Sequence, residues 1–310
     1  MMLLPLAQPL KQPSLRGTYM TLIKCGLVQL SLKKTGDAEI PTIRDAMLDA
    51  YEAYVERAAA QGVQIICFPE LFNQYYFGFG HEEKWFAAAE RIPDGPTVRR
   101  CCDWAKRYGI VIVAPIYEEE APGVYYNTAA VVDADGSYLG KYRKMHIPDG
   151  GPCREKLYFK PGNLGFPVFQ TAVGRIGVVI CNDRHFPEGF RALALGGAEV
   201  VFVPTSTGPA ARPTWELELK AAAFANGIFV AAPNRVGDEN SLMGKYFGNS
   251  LFASPWGETI AQGGDGEELV VADLDTKLIR EQRIAWGFFH NRRPDAYPTG
   301  PHVRAIRVMK

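Results

Sequence analysis

Apolar positions along the chain follow two rhythms. Short continuous runs recur at 63–68, 110–114, 129–132, 176–180, 200–203, 228–232 and 269–272, and a strand pattern from Thr21 carries Ile23, Leu27, Val28 and Leu30. Between these runs the spacing becomes helical. From about 41 to 60, Ile43, Met47, Tyr51 and Val55 recur every fourth residue, and 97–107, 187–195 and 214–226 also read as helices. Strands that are apolar on both faces and alternate with helices predict an α/β protein whose sheets lie under helical layers. After Gly123 the runs crowd together, and turn signals at Ala134-Asp135-Gly136 and Pro255-Trp256-Gly257 predict antiparallel hairpins in part of the sheet. No long linker, composition break or repeat interrupts this pattern, so one domain is expected over 20–310, with a C-terminal extension after about 285. Residues 1–19, broken by Pro5, Pro9, Pro13 and Gly17, read as a flexible N-terminal extension rather than a signal peptide, because no charged stretch precedes Leu3 and Leu4. Met20 is an alternative start.

Charge narrows the function classes. The 310 residues hold 34 Lys+Arg against 34 Asp+Glu, a formal net charge of 0, which argues against a nucleic-acid binder or a polybasic membrane-surface protein. With 47% hydrophobic and 22% charged residues the chain has ample material for a core. No apolar run approaches the roughly 18 residues of a membrane span. The six cysteines, Cys25, Cys67, Cys101, Cys102, Cys153 and Cys181, form no C-x-x-C pair and are too sparse for a disulfide scaffold. They point to a reduced, cytoplasmic setting, in which any special cysteine is special by reactivity.

Function in an α/β layer protein gathers past the carboxyl ends of strands. Three such places carry unusual residues. Glu70 follows the run 63–68 directly, where a partly desolvated carboxylate suits proton transfer; capping the next segment or pairing with a buried arginine is the plainer role. Lys144, in Tyr142-Arg143-Lys144-Met145-His146, closes the strand that starts near Leu139 and could aim an ammonium at a developing oxyanion or simply be solvated. Cys181 ends an apolar strand, a polar turn follows, and Pro187 opens a helix at its favoured first position. Such an elbow exposes a nucleophile, and its helix start and positive charges should lower the thiol pKa; otherwise Cys181 is one more buried apolar cysteine, as Cys67 reads. His146 and His185 are candidate bases for a papain-like pair, but neither lies in a C-G-[SA]-C-[WY] signature. The five histidines are scattered, with no H-x-H or H-E-x-x-H, so no metal site is expected. Gly263-Gly264-Asp265-Gly266 matches no phosphate loop and reads as a hairpin turn.

Glu after a strand, Lys in Tyr-Arg-Lys-x-His and Cys at a strand-to-helix elbow, in that order, resemble the nitrilase or carbon–nitrogen hydrolase superfamily from about Met20 to Tyr297. The resemblance implies a four-layer αββα sandwich that dimerises through helices into a homodimer or larger homo-oligomer, and a Glu70–Lys144–Cys181 triad. It adds Glu155, which alone would read as a surface charge, as a second glutamate beside the triad. No cofactor is implied. Cys181-Asn182-Asp183-Arg184 looks like the elbow of N-carbamoyl-D-amino acid amidohydrolases. The step Arg184-His185, the run from Tyr158 to Phe169 and Arg292-Arg293-Pro294-Asp295-Ala296-Tyr297 are similar to β-ureidopropionases, enzymes of pyrimidine degradation. The implied substrate is a small carboxylate-bearing N-carbamoyl amino acid, N-carbamoyl-β-alanine first. An N-carbamoyl-D-amino acid, an aliphatic amide or nitrile, or a non-catalytic binding role on the same fold are the alternatives. In this reading Asn182 supplies an oxyanion N–H, and Arg184, assisted by His185 or His146, forks onto the substrate carboxylate. An internal ion pair of Arg184 with Asp183 or Glu188 is the competing role.

Overall fold

The computed structural model describes residues 22–297. The expected N-terminal extension at 1–19 lies outside them. Strand β1 (Leu22–Gln29) leads into helix α1 (Ile40–Ala60), β2 (Ile65–Cys67), α2 (Pro96–Tyr108), and the antiparallel strands β3 (Val111–Ala121), β4 (Val124–Val132) and β5 (Tyr138–Arg143). The second half runs β6 (Phe169–Gln170), β7 (Arg175–Val178), α3 (Pro187–Leu195), β8 (Val200–Phe202), α4 (Arg212–Asn226) and β9 (Phe229–Ala232). A small pair, β10 (Val236–Gly237) and β11 (Tyr246–Phe247), precedes β12 (Leu251–Ala253), β13 (Thr259–Gln262), β14 (Glu268–Asp275) and α5 (Lys277–Trp286).

These strands make two six-stranded sheets, ordered β14-β1-β2-β3-β4-β5 and β13-β12-β9-β8-β7-β6. The centre of each is parallel, β1-β2-β3 in one and β7-β8-β9 in the other, and antiparallel strands flank it. Alternation along each strand explains the continuous apolar runs. In β3, Val111 and Val113 point into the layer between the sheets, against Ile176, Val178, Val200 and Phe202, while Ile112 and Ala114 face α1 and α2. In the second sheet Val201 and Val230 face outward onto Trp215, Leu219 and Ala223 of α4. The layers are helix, sheet, sheet, helix: the αββα sandwich. Ile43, Met47, Tyr51 and Val55 are all buried along α1.

Two expectations shift. Strands β3 and β4 outrun their apolar runs because the polar ends are paired: buried Glu118 takes hydrogen bonds from Thr128 Oγ1 (2.7 Å) and from Arg143 Nε (2.9 Å) and Nη2 (2.6 Å). The glycines at 263–266 are no hairpin. Strand β13 pairs with β12 and β14 with β1, so this segment crosses from one sheet to the other, and the Gly264 carbonyl accepts from Gln29 Nε2 (2.9 Å).

Candidate active site

The central strands of both sheets deliver their carboxyl ends to one place. Strand β2 ends at Cys67, and Phe68-Pro69 carries the chain to Glu70, which is 0% exposed. Its Oε1 accepts from Lys144 Nζ (2.7 Å) and Asn127 Nδ2 (2.8 Å), and its Oε2 from the Ser206 N–H (3.1 Å). The Glu70 carboxylate is thus neither a cap nor paired with a buried arginine. Lys144 follows the last residue of β5 and is 0% exposed, so solvation is not its role. Arg143, clamped to Glu118, fixes the strand end before it, while Gly162 donates its N–H to the Lys144 carbonyl (2.8 Å). A Cβ on Gly162 would collide with the Arg143 carbonyl, so only glycine lets the chain approach this closely. Glu155 opens a short 3-10 turn (Glu155–Leu157) and is buried, with Oε2 on Lys144 Nζ (2.7 Å) and Oε1 accepting from the Tyr76 hydroxyl.

Cys181 starts a 3-10 turn (Cys181–His185) between β7 and α3, and its φ of 47° lies in the left-handed region. A non-glycine residue held there stores strain, which occurs most often at functional sites. Buried Asp183 holds the turn in place. It accepts from the Ile180 N–H (2.9 Å) behind the cysteine and from the Tyr142 hydroxyl (2.7 Å) and His146 N–H (2.8 Å) of the lysine segment. The segments that carry Lys144 and Cys181 are therefore tied through one carboxylate.

Electrostatics assign states to these groups. Burial on its own would strip Lys144 of its proton, but the charges of Glu155 and Glu70 outweigh it and hold the ammonium well above the ordinary lysine range. Burial, reinforced by the neighbouring Glu70 charge, pushes the Cys181 thiol up to about 12 against the opposing pull of Lys144 and Arg184. The expected lowering of the thiol pKa is therefore overturned: the local charges are present, but the sulfur is too deep for them to prevail. At neutral pH Cys181 is therefore a neutral thiol, which would need a base to act as a nucleophile. Burial likewise raises the Glu155 carboxyl, to about 6. As pH falls through that value Glu155 takes a proton and loosens its hold on Lys144. We expect kcat to fall roughly tenfold per pH unit below about 6, checked by a kcat profile from pH 8 to 5; a flat profile would refute this role for Glu155.

The remaining candidates divide. Arg184 is 6% exposed; its Nη1 lies 3.8 Å from Cys181 Sγ and donates to the Cys181 carbonyl (3.0 Å). Its ion partner is Glu218 of α4, with Nε to Oε2 at 3.2 Å, not Asp183 or Glu188. His185 Nδ1 meets the same Glu218 (2.7 Å), and His146 Nδ1 meets Asp183 (2.7 Å) with its ring stacked on Phe186. Both histidines are thus bound to carboxylates through Nδ1, and among the described residues neither ring makes a hydrogen bond to Cys181. Asn182 donates its side-chain amide to the His146 carbonyl (3.0 Å). Among the described residues no group of three or more His, Cys, Asp or Glu could hold a metal ion, and no helix is long and apolar enough to cross a membrane.

Sequence reasoning missed Ser206, Asn127, Tyr76 and Glu218. Ser206 was findable, since it lies just past the end of β8 where function gathers. Glu218 and Tyr76 carry no local signal; only packing brings them to the site.

The profile of the carbon-nitrogen hydrolase family matches residues 26–284. An N-carbamoylputrescine amidase from Solanum lycopersicum is 43% identical over 261 residues, covering 79% of this chain and 86% of that protein. A β-ureidopropionase from Arabidopsis thaliana is 33% identical over 295 residues, covering 89% and 72%. The crystal structure of a carbon-nitrogen hydrolase from Helicobacter pylori superposes with a TM-score of 0.82 at 31% identity, covering 89% of this chain and 97% of that one.

Proposed function

The chain belongs to the carbon–nitrogen hydrolase family, enzymes that break carbamoyl and amide C–N bonds, and from that premise we propose that it hydrolyses N-carbamoyl amino acids, N-carbamoyl-β-alanine foremost, to the amino acid, ammonia and carbon dioxide. The observation that carries this reading is the Arg184 guanidinium 3.8 Å from the Cys181 sulfur. Its Nη2 makes no hydrogen bond among the described residues. A ureido carbon joined to that sulfur puts the carboxylate of a one- or two-carbon tail beside a guanidinium edge suited to it.

Chemistry follows from the states above. Glu70 takes the thiol proton as sulfur attacks the ureido carbon, because a thiol with a pKa near 12 supplies little free thiolate. The carbonyl electron pair moves to oxygen, where Lys144 and the Asn182 N–H, at the unsatisfied start of its turn, stabilise it. Glu70 passes the proton to the terminal nitrogen, the C–N bond breaks and ammonia leaves. Water, deprotonated by Glu70, then attacks the S-linked carbamoyl carbon; the C–S bond breaks, sulfur regains its proton, and the released carbamate loses carbon dioxide.

Arg184→Gln tests the tail. A lost charge-assisted contact of about 1.5–3 kcal/mol should raise KM for N-carbamoyl-β-alanine roughly 10–100-fold, while kcat/KM for a neutral aliphatic amide changes less than about threefold. Glu218, an anion on the same guanidinium, together with the 43% identity to an N-carbamoylputrescine amidase, favours a second reading in which the tail ends in an amine. Ammonia release across N-carbamoyl-β-alanine, N-carbamoyl-D- and L-amino acids, N-carbamoylputrescine, simple amides and nitriles separates the two. Preference for N-carbamoylputrescine, unharmed by Arg184→Gln, would replace the carboxylate reading.

A further inference from the structure

Arg235 is 2% exposed and lies in the connection from β9 to β10, yet most of its donors are spent on the segment that follows β2. Nη2 donates to the carbonyls of Glu70 (3.2 Å), Leu71 (2.7 Å) and Gln74 (3.0 Å), and Nη1 to the Gln74 carbonyl (3.0 Å). All three acceptors lie within five residues that begin at the proposed base. Leu71, the residue after Glu70, is held at a φ of 50°, in the left-handed region that residues with a side chain avoid. Such a conformation persists only when surrounding contacts over-determine it, and the guanidinium supplies them. The buried Glu239 carboxylate balances the charge by pairing with Arg235, and its other oxygen accepts the Tyr76 N–H (3.1 Å). Tyr76 in turn donates its hydroxyl to Glu155. One ion pair therefore grips both ends of segment 70–76: the end that carries Glu70, and the end that orients Glu155.

We propose that Arg235 and Glu239 are positioning residues that set the distances of Glu70 and Glu155 from Lys144, so that the segment after β9 aligns two acids carried by other loops. This rests on the reading of Glu70 as the base for Cys181, but not on which carbamoyl compound is the substrate. Lysine cannot reproduce the grip, because its one nitrogen cannot hold the carbonyls that Nη2 contacts and at the same time the Glu239 carboxylate that Nη1 pairs with.

The test compares Arg235→Lys, Arg235→Met and Glu239→Gln with the wild type. Each is assayed for kcat and KM on the best ammonia-releasing substrate, and for the rate at which iodoacetamide alkylates Cys181, per folded molecule as judged by thermal melting. We expect Arg235→Lys to keep most of the melting temperature that Arg235→Met loses, yet to recover less than a tenth of wild-type kcat, with KM within about threefold. Glu239→Gln should lose about tenfold in kcat. Alkylation should slow at least tenfold in Arg235→Lys, and this readout stands even if the substrate assignment is wrong. The proposal is overturned if Arg235→Lys restores kcat in step with melting temperature, or if alkylation proceeds at the wild-type rate in both Arg235 variants.

Discussion

Cys181→Ala is expected to lower turnover by roughly 10⁴-fold or more while leaving the fold intact. The size of the effect comes from the division of labour at the site. Glu70, Lys144 and Glu155 form a polar cluster bonded to itself and to Asn127, Tyr76 and Ser206. None of those hydrogen bonds involves the thiol, and Arg184 Nη1, 3.8 Å from the sulfur, keeps the Cys181 carbonyl (3.0 Å), so removing the thiol costs little stability. The variant keeps the proposed oxyanion site and base but has no atom to form the proposed covalent intermediate. Thermal melting and ammonia release, measured on one preparation, check this. A Cys181→Ala protein that retains even a tenth of wild-type turnover would place the nucleophile elsewhere.

Lys144→Met should have the largest effect on stability. The ammonium sits 2.7 Å from Glu70 and 2.7 Å from Glu155, with all three groups buried. Removing it leaves two carboxylates facing one another without a counter-charge, and breaking a buried ion pair from one side typically costs about 3–5 kcal/mol. The penalty is charge-dependent in a defined direction. Without the cation the Glu155 carboxyl titrates higher than it does beside it, so acid neutralises it and relieves the repulsion. The melting temperature of Lys144→Met should lie far below wild type at pH 8 and approach it near pH 5. A deficit that is the same at both pH values would mean that lost packing, not unpaired charge, is the cause. Turnover should be lost at either pH, since the oxyanion donor is gone.

Much of this architecture was legible in the chain. The four-residue recurrence of Ile43, Met47, Tyr51 and Val55 located α1, because a helix on a sheet buries one stripe. Runs such as 110–114 marked strands covered on both faces, and Glu70, Lys144 and Cys181 each stood just past a strand end. The errors share a cause. The glycines at 263–266 look the same whether the next strand joins its neighbour or the opposite sheet; β14 is drawn to β1 by pairings as far apart in sequence as Leu22 with Asp275. Charges beside Cys181 were visible, but the depth that raises its pKa was not. Glu218 and Glu239 carry no local signal, on a helix and in a loop, until the fold sets each against a buried arginine.

The central claim is that Cys181 attacks a carbamoyl carbon while Glu70 carries the proton. Acid-quenched mass spectrometry of the enzyme mixed with N-carbamoyl-β-alanine tests it most directly. The predicted result is an adduct equal to substrate minus ammonia on the peptide that contains Cys181, absent in Cys181→Ala. Steady ammonia release from the wild type with no adduct, alongside comparable turnover by Cys181→Ala, would contradict it.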